Sequence, residues 1–188
     1  MNFLINILIG IGLSAASGFR VFVPLLGLSI ASLTGVIELN NNYTWLGSVP
    51  ALIAFSFATI VEIGAYYIPW IDNALDTIAS PLAVAAGVLI SVSIYSDTSP
   101  LLKWSLAIIA GGGVAGIVQT GTVSMRAVSS GTTGGFGNFI VATFEIICSV
   151  ITTILAIILP VVCFLGLVLL GITMNKYYNK RKKLKVAS

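Results

Sequence analysis

Two predominantly apolar runs of 35 residues, residues 3–37 and 139–173, constrain this chain more than any other feature of its sequence. A membrane-spanning helix needs about 20 apolar residues. Each run is therefore too long for one untilted span and too short for two spans joined by a turn. The first run has an obvious point of interruption at residues 17–24, where Gly18 permits a break, Arg20 brings a charge and Pro24 lacks a backbone donor. In the second run, Pro160 predicts a kink.

The remaining apolar segments indicate an all-α polytopic membrane protein. Apolar residues make up 57% of the chain, charged residues 8%, and the mean hydropathy is +1.08. These values lie far from those of a soluble domain, and the apolar runs do not alternate as membrane strands do. We predict further spans at residues 49–68, 81–95 and 102–123, and a short amphipathic helix at 69–80. This amounts to about five or six membrane segments, at least one of them interrupted or re-entrant, in one helical membrane domain over residues 1–175.

The charges are distributed asymmetrically along the chain. Residues 1–175 contain three basic and six acidic residues, whereas residues 176–188 contain six basic residues and no acidic one. A basic cluster directly after an apolar run is typical of a cytoplasmic anchor that contacts anionic lipids, and it does not require a nucleic acid. We predict a multi-pass protein of the cell membrane with membrane lipids as partners and a basic cytoplasmic tail at residues 176–188.

The sequence offers little for catalysis. It contains no histidine, and its two cysteines, Cys148 and Cys163, both lie in the second long apolar run. Disulfides, histidine-based catalysis and cysteine-rich metal sites are therefore not expected. We predict a protein that is not an enzyme and that has no cofactor and no metal site.

A glycine-dense stretch at residues 126–138, RAVSSGTTGGFGN, separates two apolar segments. Its glycines allow sharp turns, and its polar side chains can bond to the freed backbone or to a ligand. Two interpretations are open: a break that lines a cavity and offers backbone N–H groups to an anion, or a plain loop outside the membrane. The candidate binding residues of this stretch are Arg126, Thr132, Thr133, Gly134, Gly135 and Asn138.

Four charged residues, Arg20, Glu62, Arg126 and Glu145, fall within or at the edge of apolar runs. Each would cost about 2.5–3.5 kcal/mol if left unpaired at the centre of a membrane. We expect at least one of the arginines to pair with Glu62 or Glu145 across helices. Such pairs could hold the helices in register, or the charges could line a polar cavity for an ion or an anionic group.

Asp72 and Asp76 lie four residues apart and share one face of the predicted amphipathic helix. Two like charges at this spacing favour a bound cation or a shared proton. The alternative is a solvated polar face of an interfacial helix.

Three boxes in one order resemble the bacterial integral-membrane family of domain of unknown function 4126. The boxes are GLSAASGFR with FVPLL over residues 12–26, Glu62 leading to IPxxDxxxD at residues 68–76, and the glycine-dense stretch at 126–138. The resemblance covers about residues 10–145 and implies a helical membrane architecture, without a family-wide activity. Tyr66 and Tyr67 stand where relatives are expected to have a small residue and an acid.

Two functions from different classes fit these observations. The first is a small transporter or channel for an ion, a small anionic or other solute, or a lipid head group, which would pass through a polar intramembrane cavity. The second is a membrane scaffold without transport activity, in which the buried charges serve helix packing. The sequence leaves open whether the protein is an oligomer.

Overall fold

A computed structural model describes residues 3–68, 71–95 and 98–186, without the side chains of residues 72–74, 174 and 177–186. The first helices are α1 (Phe3–Ser17), α2 (Phe22–Leu33), α3 (Val49–Ala65) and α4 (Ile71–Ile94), with a short 3₁₀ helix at Asn41–Gly47 before α3. The second half contains α5 (Pro100–Leu106), a π-helical segment (Ala107–Gly112), α6 (Gly113–Thr133), α7 (Asn138–Ile158) and α8 (Pro160–Val186).

The interruption predicted in the first apolar run is confirmed, and the chain reverses direction there. Gly12 of α1 and Gly27 of α2 both lie against the last third of α7, around residues 153–156. Arg20, between them, lies near the start of α7, where it bonds to the carbonyl of Ala142. Helices α1 and α2 therefore form a hairpin, with residues 18–21 at its tip.

The tip of this hairpin lies inside the helix bundle. The hydroxyl of Ser17 donates to the carbonyl of Ala83 at 3.3 Å. Ala83 is twelve residues into α4, which places the tip about 18 Å along that helix at 1.5 Å per residue. The backbone at residues 18–21 is therefore non-helical well inside the bundle, and its N–H and C=O groups must form hydrogen bonds with protein groups.

Among the described residues, three helical stretches are long and apolar enough to cross a membrane: Leu75–Ile94, Pro100–Thr133 and Asn138–Ile158. A fourth is obtained if Asn41–Gly47 and Val49–Ala65, which are bent by 58°, are counted as one span. The count of five or six is not confirmed, because α1 and α2, of 15 and 12 residues, are each shorter than a full span. The apolar helices nevertheless indicate a membrane-embedded protein.

Two predicted boundaries were wrong. Residues 69–80 and 81–95 were expected to be separate elements, but α4 is continuous from Ile71 to Ile94 with Pro81 inside it. Proline removes one helical hydrogen bond, and here the burial of Ala79, Ala83 and Ala86 on one face holds the helix together. The segment expected at 102–123 extends from Pro100 to Thr133. At Pro160, where a kink was predicted, the helix is interrupted at Leu159, since α7 ends at Ile158 and α8 begins at Pro160.

Small residues allow α1 to lie close to its neighbours. The hydroxyl of Ser14 donates to the carbonyl of Gly87 at 3.0 Å. A Cβ on Gly18 would lie 2.6 Å from the carbonyl oxygen of Ala115, and one on Gly12 would lie 2.6 Å from the Cβ of Ala156. Close approach of this kind is how membrane helices gain packing energy without a hydrophobic driving force.

Replacing Gly87 by alanine is expected to lower the free energy of unfolding by about 1–3 kcal/mol, because the contact has no room for a methyl group. The new Cβ would lie 2.8 Å both from the Cβ of Ala115 and from the carbonyl oxygen of Gly111. Gly121→Ala is the matched control. A Cβ there meets no heavy atom within 4 Å, so stability should stay unchanged or rise by up to about 1 kcal/mol. Equilibrium unfolding in mixed detergent micelles measures both, and equal effects would contradict the packing interpretation.

Candidate functional site

The tip of the α1–α2 hairpin carries Arg20, whose side chain is buried against α7. Arg20 is 1% exposed. Its Nη2 donates to the carbonyl oxygen of Ala142 at 3.0 Å and lies 3.0 Å from Oε2 of Glu145. The predicted pairing of an arginine with Glu145 across helices is therefore confirmed.

Arg126 of α6 reaches the same carboxylate from the other side. Its Nε donates to Oε1 of Glu145 at 3.2 Å, and its Nη2 pairs with Oε2. Its Nη1 pairs with Oδ1 of Asp76 on α4 at 2.5 Å. Glu145 thus holds two arginines that come from different elements of the chain, and a bidentate arginine–carboxylate contact is among the strongest polar interactions in proteins.

Tyr66, at the C-terminal end of α3, contacts both arginines. The guanidinium carbons of Arg20 and Arg126 lie 3.8 Å and 4.0 Å from the centre of its ring. Each cation–π contact contributes about 0.5–2 kcal/mol, more where water is excluded. The two guanidinium groups also share Oε2 of Glu145, so this carboxylate and the Tyr66 ring both contact the two cations.

Glu62, one turn before Tyr66 on α3, caps the start of α2. Its Oε1 accepts from the backbone N–H of Val21 at 2.7 Å, and its Oε2 accepts from that of Phe22 at 3.0 Å. The first N–H groups of a helix have no intrahelical partner, and the helix dipole favours a negative charge there. Glu62 therefore makes it feasible for α2 to begin inside the protein, at a buried turn.

These six residues form what we call the buried charge cluster: Arg20, Glu62, Tyr66, Asp76, Arg126 and Glu145. They come from the hairpin tip and from α3, α4, α6 and α7. Two nitrogens of Arg20, Nε and Nη1, have no hydrogen-bond partner among the described residues. Each unsatisfied buried donor carries its desolvation cost, so these two nitrogens are groups that a water or a ligand could bond to.

An open groove leads from the surface of the bundle to this cluster. It has a volume of about 330 Å³ and lies between α2, α3 and α4. Its walls are apolar side chains, including Phe57, Val61 and Leu82, and Glu62 and Tyr66 also contribute to its lining. Among the described residues, the charges of the cluster thus pack on one another, and the groove beside them is apolar.

The family model described as "Domain of unknown function (DUF4126)" matches residues 7–180. The chain belongs to this family. Comparisons with curated proteins and with solved structures found no match. In this DUF4126 chain, each of the three boxes that resemble the family supplies part of the buried charge cluster. The first contains Arg20, the second Glu62 and Asp76, and the third Arg126. Boxes that are up to about a hundred residues apart thus meet at one place in the fold.

The glycine-dense stretch differs from the predicted buried break. Helix α6 continues through it as far as Thr133, and a tight turn at residues 134–137 leads directly into α7. Gly134 and Gly135 adopt positive φ angles of 63° and 94°, which glycine tolerates best. Phe136 in this turn is 91% exposed, so the stretch is a hairpin turn at the surface of the bundle.

The polar residues of this turn serve local structure instead of an anion site. The hydroxyl of Thr132 donates to the carbonyl of Val128, and that of Thr133 donates to the carbonyl of Ser129. Thr133 also accepts from the N–H of Gly137, and the amide of Asn138 donates to Ser130. The backbone N–H groups of Phe136 and Asn138 also bond within the turn, to the carbonyls of Thr133 and Gly135. These donors are therefore not free for the predicted anion.

The predicted common site of Asp72 and Asp76 stays a prediction. The side chain of Asp72 lies outside the described part of the structure. The carboxylate of Asp76 forms an ion pair with Arg126. Sequence reasoning missed this pair, and it also missed Tyr66. The available signal for Tyr66 was its spacing of four from Glu62, which places both on one face of α3.

Proposed function

We propose that this protein is a transporter of the cell membrane that moves an ion, a small solute or a lipid head group, with the buried charge cluster as its binding site. The observation that carries the proposal is the position of the hairpin tip. A discontinuous helix pair ends inside the bundle, and its irregular backbone lies against ionisable side chains. In membrane transporters, substrates and coupling ions bind at such broken helices, where half-helix ends face the site.

In this proposal the ion pairs of the cluster are exchangeable. Glu145 links Arg20 to Arg126 and so holds the hairpin tip against α6 and α7. An anionic group would compete with Glu145 for the arginines, whereas a cation would compete for Glu62, Asp76 or Glu145. Either exchange would weaken the contacts that close the tip against its neighbours. The described state is the closed one, in which Arg20 and Glu145 are each 1% exposed.

The second candidate function is a membrane scaffold without transport. The mutual pairing of Arg126 with both Glu145 and Asp76 favours it, since such a network can fix the register of several helices. The scaffold needs no opening of the cluster. The two functions therefore differ in whether water ever reaches the hairpin tip.

A cysteine beside Arg20 tests this difference without knowledge of the substrate. We expect Ala142→Cys, in a background with Cys148→Ala and Cys163→Ala, to react with a charged thiol reagent. Ala142 is 1% exposed, so reaction requires opening of the cluster. Ala31→Cys in α2 is the matched control, since Ala31 is 3% exposed but lies in the apolar core. The transporter predicts that Ala142→Cys reacts at least about tenfold faster than this control.

The reagent is added separately to each side of sealed proteoliposomes that contain the full chain. Ser188→Cys serves as a reference for sidedness, because the basic residues from Lys176 to Lys185 place the C-terminus in the cytoplasm under this proposal. If Ala142→Cys reacts as slowly as Ala31→Cys with reagent added to either side, the transporter proposal is overturned and the result supports the scaffold function. Reaction of Ser188→Cys with an impermeant reagent added outside intact cells would show that the C-terminus lies outside the cell and would contradict the predicted orientation.

A further inference from the structure

Arg20 is the member of the buried charge cluster whose hydrogen bonding is incomplete. Its guanidinium is fully buried, and its Nη2 bonds to the carbonyl oxygen of Ala142 and lies 3.0 Å from Oε2 of Glu145. Its Nε and Nη1 have no partner among the described residues. All three nitrogens of an arginine are hydrogen-bond donors, so the closed state leaves much of the donor capacity of Arg20 unused.

Arg126 provides an internal comparison. Its Nε and Nη2 bond to the two oxygens of Glu145, and its Nη1 pairs with Oδ1 of Asp76. An arginine that only holds helices in register can therefore have all its nitrogens paired in this fold. The contrast points to Arg20, and not Arg126, as the residue that receives a ligand.

We propose that the transported ligand is a small monocarboxylate, which replaces Glu145 as the partner of Arg20 when the hairpin tip opens. The unpaired groups are donors on a cation, so the ligand supplies acceptor oxygens and a negative charge. Glu145 contacts Arg20 through one nitrogen but Arg126 through two, so it releases Arg20 more easily. This inference rests on the proposed transport function and names its substrate class.

The shape of the guanidinium favours a carboxylate over a spherical anion. Nη1 and Nη2 form the outer end of this planar group and together match the two oxygens of a carboxylate. In the closed state Nη2 is held by Ala142 and Glu145, and only Nη1 lacks a partner at this end. Movement of the tip away from α7 frees both nitrogens for one ligand. Because Arg20 is buried in the closed state, binding and opening are coupled.

The charges around Arg20 favour a ligand with a single negative charge. Asp76 and Glu145 pair with Arg126. The carboxylate of Glu62 accepts two backbone N–H groups at the start of α2. A monovalent anion balances the one charge of Arg20, whereas a divalent anion would bring a second negative charge close to these acids.

The test observes Arg20 directly in the full chain. The sequence contains three arginines, Arg20, Arg126 and Arg181, so ¹⁵N-arginine labelling gives three Nε–H signals in a nuclear magnetic resonance spectrum. The protein, in uncharged maltoside micelles without other oxyanions, is titrated separately with acetate, acetamide and sulfate. We expect acetate to shift the Arg20 signal saturably, with half-saturation at a concentration at least about tenfold lower than for acetamide, its uncharged analogue. Sulfate should bind more weakly than acetate.

Three substitutions assign the signals and control for other cations. Arg181→Lys removes the signal of the tail, and Arg20→Lys or Arg126→Lys, whichever variant folds, separates the two buried arginines. Lys103→Gln is the matched control, because Lys103 is a half-buried cation of α5 outside the cluster, and it should leave the acetate titration unchanged. The proposal is overturned if acetate gives no saturable shift at Arg20, if acetamide matches acetate, or if sulfate binds more tightly.

The outcome is separable from that of the transport proposal. Acetate is smaller than a thiol reagent, so a saturable shift in a protein whose Ala142→Cys stays inert would support the carboxylate site and overturn transport. A reactive Ala142→Cys without a saturable acetate shift would leave transport standing and overturn the monocarboxylate as its substrate.

Discussion

Replacing Glu145 by glutamine is expected to lower the free energy of unfolding by about 3–5 kcal/mol, the cost of removing one partner from a buried ion pair. Glu145 contacts both Arg20 and Arg126. A glutamine of similar shape cannot neutralise two buried guanidinium groups. Equilibrium unfolding in mixed detergent micelles provides the measurement. Glu38→Gln is the matched control, and because Glu38 is exposed it should change stability by less than about 0.5 kcal/mol.

A double-mutant cycle shows whether the loss arises from the ion pair. Arg126→Gln removes one of the two cations that Glu145 holds, so Arg126→Gln combined with Glu145→Gln should cost less than the sum of the single variants. The expected coupling lies within about 0.5–3 kcal/mol, as for other residues in one polar network. Some loss should remain, because Arg20 still faces the altered side chain. Purely additive losses would mean that the two side chains do not act together.

Replacing Glu62 by alanine is expected to cost about 2–6 kcal/mol, because two buried backbone donors lose their acceptor at about 1–3 kcal/mol each. The donors are the N–H groups of Val21 and Phe22 at the start of α2. Glu62→Gln is the informative comparison. Its amide keeps one acceptor oxygen, so it should lose less than alanine does.

Amide hydrogen exchange locates this effect. In Glu62→Ala the N–H groups of Val21 and Phe22 should exchange faster, while those in the middle of α7 keep their protection. A loss below about 1 kcal/mol for alanine would show that the carboxylate does not hold the start of α2. Equal losses for alanine and glutamine would assign the effect to the charge of Glu62 and not to its hydrogen bonds.

These expectations bear on how functional variants should be chosen. Glu145 and Glu62 hold the hairpin tip in place, so their loss would impair any function, including that of a scaffold. Ala142 carries no polar side chain, so its replacement by cysteine leaves the ion pairs intact. A change at this position therefore reports on opening more directly than changes within the cluster.

Much of the fold follows from local properties of the sequence. The length of the apolar runs predicts membrane helices, because a span needs a roughly constant number of apolar residues. The same length criterion, with Gly18 and Pro160, predicts both interruptions. The cost of an isolated charge in lipid predicts that an arginine pairs with an acid. Each of these inferences needs only the residue and its neighbours along the chain.

The number of spans did not follow from the sequence. Local hydropathy shows that residues 3–33 are apolar, but it does not show that the chain turns back at residues 18–21. Whether two half-helices cross or return depends on what they pack against. Here Gly12 and Gly27 lie at one level of α7, and Arg20 lies at another.

The residue types of the buried charge cluster were predictable from the sequence, but the contacts among them were not. The sequence by itself determined that Arg20, Glu62, Arg126 and Glu145 need partners, because burying a charge costs free energy in any fold. Only the tertiary structure decided that Glu145 would serve both arginines, that Glu62 would cap α2 and that Tyr66 would contact both guanidinium groups. It also made the glycine-dense stretch an ordinary hairpin turn. The physical reason is that the free-energy cost of desolvating a charge is a property of the single residue, whereas the choice of its partner depends on which helices meet at the same depth.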